Sequence, residues 1–193
     1  MPQFTKLDIN FDVSELGDFL QTTDMWGEVR ARCFEGSPHS QVEDIWARYK
    51  DPSSCIESGD WSTIGDEHES VWLKDIPSVR EISNKLMGFL GGSQLGGVLI
   101  TKLPAGGTID AHIDTGWHPE FYDKYYIPIK NAKGAYFAFE GDNRIEPEEG
   151  EVWAFRNDIK HWVVNDSLED RIAMIICIKQ SKLCKGGSPC LSE

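Results

Sequence analysis

The chain has 193 residues, 40% of them hydrophobic and 11% aromatic, and a formal net charge of −13. This length and composition fit one globular domain with a sizeable core and argue against a disordered chain. The acidic balance argues against a phosphate-backbone partner, so nucleic acid is not expected, and no run of about 18 apolar residues is present to cross a membrane.

The N-terminal stretch MPQFTKLDINFDVSELGDF carries acidic residues and no apolar signal-peptide centre, which predicts a cytoplasmic protein. Ser14 reads as the N-cap of a short helix with Leu16, Phe19 and Leu20 on one face. Residues 43–49, EDIWARY, have strand-like composition, and residues 50–69, rich in Ser, Gly and Asp, read as a loop. A second helix is expected over 76–90. Pro77 suits its first turn, Ile82, Leu86, Phe89 and Leu90 form a stripe, and Gly91-Gly92 ends it.

From Gln94 onward the pattern changes to short strands, at 95–103, 108–113, 123–130, 134–140, 143–146, 151–156, 161–165 and 171–179. Turn sequences separate them: PAGG, the loop around Trp117-His118-Pro119, NAKG, EGDN, PEEG, RNDIK and NDSLED. Eight antiparallel strands in this space predict a mainly β, cupin-like double-sheet jelly roll, with the two helices on the outer face of one sheet. The expected organisation is one domain: a helix-containing part over 1–93, a jelly-roll core over 94–180 and a flexible tail over 181–193. Of five cysteines, Cys33, Cys55 and Cys177 lie in ordered-looking segments, and reduced thiols are expected. Cys184 and Cys190 sit in the tail with no histidine near, which argues against a zinc site.

The chemistry concentrates at His112-Ile113-Asp114, His161 and Arg171. On a strand, residues i and i+2 share a face, so His112 and Asp114 point the same way, with Asp110, while Ile109, Ala111 and Ile113 point the other way. His161 begins a strand that supplies a third ligand. Two imidazoles and a carboxylate with open positions opposite suit non-haem Fe(II). On the last strand, Arg171, Ala173, Ile175 and Cys177 share one parity, and a hairpin around 166–170 turns both faces to one interior. The alternate residues, Ile172, Met174, Ile176 and Ile178, are also apolar, so that strand is buried on both faces. A buried arginine there needs a partner. Asp110 or Glu151 is one option, and the carboxylate of a bound 2-oxoglutarate is another.

Three segments resemble the aspartyl/asparaginyl β-hydroxylase family: VLITKLPAGGTIDAHID, KYYIPIK and EPEEGEVWAFRNDIKHWVVNDSLEDRIAMIICI. The likeness runs from about Gly96 to Lys179 and extends loosely to SPHSQVEDIWARYK. It implies a double-stranded β-helix holding Fe(II) through His112, Asp114 and His161. It also implies Arg171 on the distal carboxylate of 2-oxoglutarate, with Thr101 helping to bind it. Lys124 and Tyr126 stand where the family has a basic residue and a histidine near the cosubstrate or substrate. The loop TGWHPEFYD is a few residues longer than in the family.

The activity implied is that of a 2-oxoglutarate-dependent dioxygenase, which consumes O2 and hydroxylates an amino acid, free or within a peptide or protein. Trp117 and His118, just past the metal pair, are candidate substrate contacts, with Tyr126. His118 is also a minor candidate for an iron ligand. The alternative is a cupin-like metal-binding or interaction module without turnover. Arg171 with Thr101 counts against it, because a metal site alone needs no carboxylate anchor.

Overall fold

The computed structural model describes residues 2–60, 70–141 and 143–180. In chain order its elements are β1 (Phe4–Asn10), α1 (Ser14–Thr22), β2 (Glu43–Tyr49), α2 (Ser53–Ser58), β3 (Val71–Trp72), α3 (Val79–Phe89), β4 (Gly92–Leu103), β5 (Thr108–His112), α4 (Trp117–Phe121), β6 (Asp123–Lys130), β7 (Ala135–Phe139), β8 (Asn143–Ile145), β9 (Glu151–Phe155), β10 (His161–Asn165) and β11 (Arg171–Gln180). All eight strands expected after residue 94 form, within three residues at either end. The expected tail over 181–193, with Cys184 and Cys190, lies outside the described residues, as does the 61–69 part of the expected loop.

The strands make two antiparallel sheets. The larger runs β1-β9-β6-β11-β4-β2-β3 and the smaller β5-β10-β7-β8. One core lies between the large sheet and the helices. There Leu16 and Leu20 of α1 and Ile82 and Leu86 of α3 meet Ile172, Met174, Ile176 and Ile178 of β11. A second core, with Phe137, Phe139, Val163 and Ala173, fills the space between the sheets. β11 is thus covered on both sides, as its two apolar parities predict. The two inner sheet faces diverge to leave a cavity of about 430 Å³.

Several local expectations are corrected. Ser14 is the first residue of α1 and not its cap. The Asp12 carboxylate accepts from the Ser14 N–H at 3.0 Å and satisfies a free amide of the first turn. α3 begins at Val79, because Ser78 takes a left-handed φ of 63° and interrupts the turn that Pro77 was expected to start. Gly91, at φ 60°, makes the reversal, and Gly92 already belongs to β4. α2 occupies part of the expected loop and ends at Gly59, whose φ of 73° closes it as a left-handed cap. α4 stands where a loop was expected. β1, which had no assignment, pairs with β9 from Phe4↔Phe155 onward.

The turn after β10 is not a hairpin within one sheet, since β10 belongs to the small sheet and β11 to the large one. Both strands still face one interior because the turn carries the chain across the sandwich. Asn165 holds it: its Nδ2 donates to the carbonyls of Leu103, Pro104 and Glu169 at 2.9–3.1 Å, and its Oδ1 accepts from Ser167 Oγ at 2.7 Å.

Candidate active site

His112 ends β5 and His161 opens β10, directly opposite one another in the antiparallel ladder. Simple alternation does not hold on β5. His161 faces His112 but Val163 faces Ile109, so two steps on β10 match three on β5. The extra residue is a bulge. It puts Ile109 and His112 on the cavity wall together and leaves Asp110 and Ala111 exposed, contrary to the expected grouping of Asp110 with His112. Asp114 lies beyond the strand end, where its N–H donates to the Asn157 carbonyl at 3.0 Å.

The two imidazole rings stand 4.4 Å apart between centroids. His112 Nδ1 lies 2.7 Å from the Asp110 carbonyl, and His161 Nδ1 lies 2.8 Å from the Ile159 carbonyl. A ring nitrogen at a carbonyl oxygen must carry the proton, so each Nε2 keeps its lone pair. Nε2 of His112 is 3.6 Å from Asp114 Oδ1, and Nε2 of His161 is 3.9 Å from Asp114 Oδ2. One ligand atom from each residue falls within 4.8 Å of the others, the only such group of three among the described residues. Two oriented imidazoles and a carboxylate at a cavity wall fit a divalent metal with positions left open.

The electrostatics suit that use. Burial works against ionisation of Asp114, but the contact with His112 and the Lys124 ammonium overcome it and hold the carboxyl below its ordinary range. Burial pushes His161 down, towards the neutral form a metal requires. Lys124 Nζ lies 2.5 Å from Asp114 Oδ2, so Lys124 steadies this carboxylate from β6.

Arg171 is 2% exposed and lines the same cavity. Its Nη2 donates to the Tyr126 hydroxyl at 2.6 Å, and its guanidinium carbon lies 5.1 Å from the Tyr126 ring centroid. Its Nε has no hydrogen-bond partner among the described residues. Neither expected side-chain partner reaches it: Asp110 is exposed, and Glu151 accepts from Lys6 and from the Trp153 indole. A buried guanidinium without a carboxylate is costly unless an anion arrives.

Thr101 lines the cavity two residues from Leu103, the partner of Arg171 across β4 and β11. Its hydroxyl donates to Asp44 Oδ1 at 2.9 Å and accepts from Arg32 Nη2 at 2.7 Å. The Thr101 proton is therefore directed at Asp44 and away from an incoming carboxylate. Trp117 and His118 sit on α4 and also line the cavity, with His118 packed 5.3 Å from the Tyr49 ring and Tyr49 against Trp46 at 4.6 Å. His118 is not part of the ligand cluster.

Sequence reasoning missed Arg32 and His39, which line the cavity, and Asp44, which is buried against Arg32. Arg32 pairs with Asp44 through two hydrogen bonds, Nε to Oδ2 at 2.6 Å and Nη2 to Oδ1 at 2.9 Å. His39 packs on His112 with centroids 4.6 Å apart. Burial, then Arg32 and His112, push His39 down to about 2, so it is neutral. Asp44 left one weak signal, a carboxylate directly before the apolar run Ile45-Trp46-Ala47. Arg32 and His39 left none, because they lie in an irregular segment with no period.

The sequence model of the aspartyl/asparaginyl beta-hydroxylase family matches residues 37–181. A search of curated protein sequences finds no match. Solved structures show the fold. A Pseudomonas putida prolyl-4-hydroxylase is similar at TM-score 0.54 and 9% identity, with 93% of each chain covered. A viral collagen prolyl hydroxylase from Paramecium Bursaria Chlorella virus-1, in complex with 2-oxoglutarate, is similar at TM-score 0.51 and 12% identity, covering 94% of this chain and 97% of that one. A 2OG-Fe(II) oxygenase family oxidoreductase from Burkholderia pseudomallei gives 0.51 and 14%, covering 72% and 67%. The chain belongs to the aspartyl/asparaginyl beta-hydroxylase family and is a 2-oxoglutarate-dependent hydroxylase whose cofactors are Fe(II) and 2-oxoglutarate.

Proposed function

We propose that His112, Asp114 and His161 hold Fe(II), that Arg171 and Tyr126 receive the distal carboxylate of 2-oxoglutarate, and that the target is an amino acid, free or within a peptide or protein. The observation that carries this reading is Arg171, a buried guanidinium with no carboxylate partner among the described residues, on the wall shared with the three donor atoms. A dicarboxylate held at one end by Arg171 supplies the missing counter-charge. The names of the prolyl hydroxylases that share the fold support an amino-acid target.

With both cofactors bound, the site couples O2-dependent decarboxylation of 2-oxoglutarate, giving succinate and CO2, to hydroxylation of a substrate C–H bond. The chain's own residues position and shield that chemistry. The Asp110 and Ile159 carbonyls fix the two imidazoles, and Lys124 fixes Asp114. Tyr126 orients Arg171 through their hydrogen bond. Burial raises the Tyr126 hydroxyl above its ordinary value, against the pull of Arg171, so it stays a neutral donor for the carboxylate. Trp117 and His118, with Trp46 and Tyr49, form an aromatic wall that would cover substrate and exclude water.

The test is release of CO2 from labelled 2-oxoglutarate by the Fe(II)-loaded protein, with calorimetric binding of 2-oxoglutarate to the Mn(II)-loaded protein beside it. Binding and slow release even without substrate are expected. Loss of both in the wild type removes the assignment.

A further inference from the structure

Arg32 lies upstream of the family match, which begins at residue 37, so family membership says nothing about it. It reaches the cavity from the irregular segment between α1 and β2. Its three side-chain hydrogen bonds use Nε and Nη2, two on Asp44 and one on Thr101. Nη1 takes part in none of them, and the side chain remains 29% exposed although Asp44 beneath it is fully covered. Arg32, which lines the cavity, is therefore held by three hydrogen bonds that leave Nη1 out. A guanidinium fixed in this way is pre-organised for a planar anion, with little side-chain entropy left to lose.

The charges of the site indicate which anion. Arg32, Lys124 and Arg171 bring three positive charges, and Asp114 and Asp44 bring two negative ones. Fe(II) would add two positive charges and 2-oxoglutarate two negative ones, which leaves roughly one positive charge without a partner. Arg171 answers the cosubstrate and Lys124 answers Asp114. Arg32 is itself answered by Asp44, so the excess lies with the metal, and an anionic group on a substrate sharing the cavity would offset it.

Building on the cofactor assignment above, we propose that Arg32 is a specificity-determining residue that binds one carboxylate group of the substrate. That group is the α-carboxylate of a free amino acid or the side-chain carboxylate of an acidic residue. Asp44 and Thr101 are positioning residues for it, and the wall from Trp46 to His118 takes the apolar remainder of the target.

The experiment uses two probe sets with Fe(II)-loaded protein and labelled 2-oxoglutarate. One compares free L-amino acids with their carboxamides. The other compares end-capped peptides containing Asp with the same peptides containing Asn. In one of the sets the carboxylate member is expected to stimulate CO2 release at least about tenfold more than its amide. The first set identifies a free amino acid and the second an acidic residue. Arg32→Gln is expected to erase that preference, while 2-oxoglutarate binding to the Mn(II)-loaded variant stays within about threefold of wild type. Because Arg32→Gln leaves Asp44 buried and unpaired, Arg32→Gln/Asp44→Asn, which removes both charges, is measured beside it with the same expectation. Arg32→Lys, which keeps charge without the fork, is expected to retain part of the preference.

Equal response to acid and amide in both sets, a preference that survives in the double variant, or an equal loss of 2-oxoglutarate binding would each overturn the proposal. If the wild type binds no 2-oxoglutarate, the cofactor assignment itself fails, and the calorimetry separates that result from the others.

Discussion

Arg171 and Tyr126 stand 2.6 Å apart, guanidinium to hydroxyl, on neighbouring strands β11 and β6. Apart from the tyrosine, the described residues offer that guanidinium no side-chain hydrogen bond, so the pair is a preformed donor set for an anion. Arg171→Gln is expected to weaken 2-oxoglutarate binding by about 10- to 100-fold, the size of a charge-assisted hydrogen-bond pair. Tyr126→Phe is expected to weaken it by less than about tenfold. Calorimetry on the Mn(II)-loaded proteins measures both, and Mn(II) affinity itself stays near wild type. If Arg171→Gln loses the metal instead, Arg171 supports the ligands and not the cosubstrate.

Metal binding should show as stability. The three proposed ligands, from β5, the segment after it and β10, would share one ion in the folded state only, and a ligand that binds only the folded state adds about 2.7 kcal/mol at a hundredfold excess over Kd. Mn(II) is therefore expected to raise Tm by several degrees in the wild type. In His161→Ala, which removes one of the three donors, the rise should largely disappear. Thermal unfolding with and without chelator reads this directly, and an unchanged rise in the variant would show that Mn(II) binds elsewhere.

Leu86 is fully buried where α3 covers the large sheet. Leu86→Ala is expected to destabilise the fold by about 2–5 kcal/mol through lost burial and the cavity left behind. In a chain of this size that lowers Tm by roughly 5–15 °C. Because α3 lies on the far side of β11 from the cavity, the folded variant should still bind 2-oxoglutarate with wild-type affinity at low temperature.

Glu151 supplies a pH dependence whose sign can be worked out. Burial opposes its charge, but hydrogen bonds from Lys6, the Trp153 indole and the Glu148 amide prevail and hold its carboxyl below the ordinary value. A carboxyl with a lower pKa in the folded state than in the unfolded state stabilises the fold above its unfolded value. That contribution is lost as pH falls through the folded value. The stability gap between wild type and Glu151→Gln, from urea unfolding, should be largest near pH 7 and shrink towards pH 3. A gap that widens in acid would contradict the sign.

Most of the fold was legible in the chain because strand alternation is a local property. Once apolar residues recur every second position between turn sequences, as from Gln94 to Lys179, only their pairing remains open. The two-sided burial of β11 was legible for the same reason: both parities of RIAMIICIK are apolar, so neither face tolerates water. β1 was not legible, because FTKLDIN keeps only a weak, half-exposed alternation and its strand state depends on the edge of β9.

The sequence by itself determined which groups could do the chemistry: His112, Asp114, His161 and Arg171, set among strands that had to bury their apolar faces. The tertiary structure decided where those groups point. The bulge on β5, not strict alternation, turns His112 inward, because register is a property of two strands and not of one. It also engaged Thr101 with Asp44 and brought in Arg32, 69 residues earlier in the chain, through contacts that no local pattern encodes. Side-chain type is written in the chain, but distance across the sandwich arises only when the sheets close.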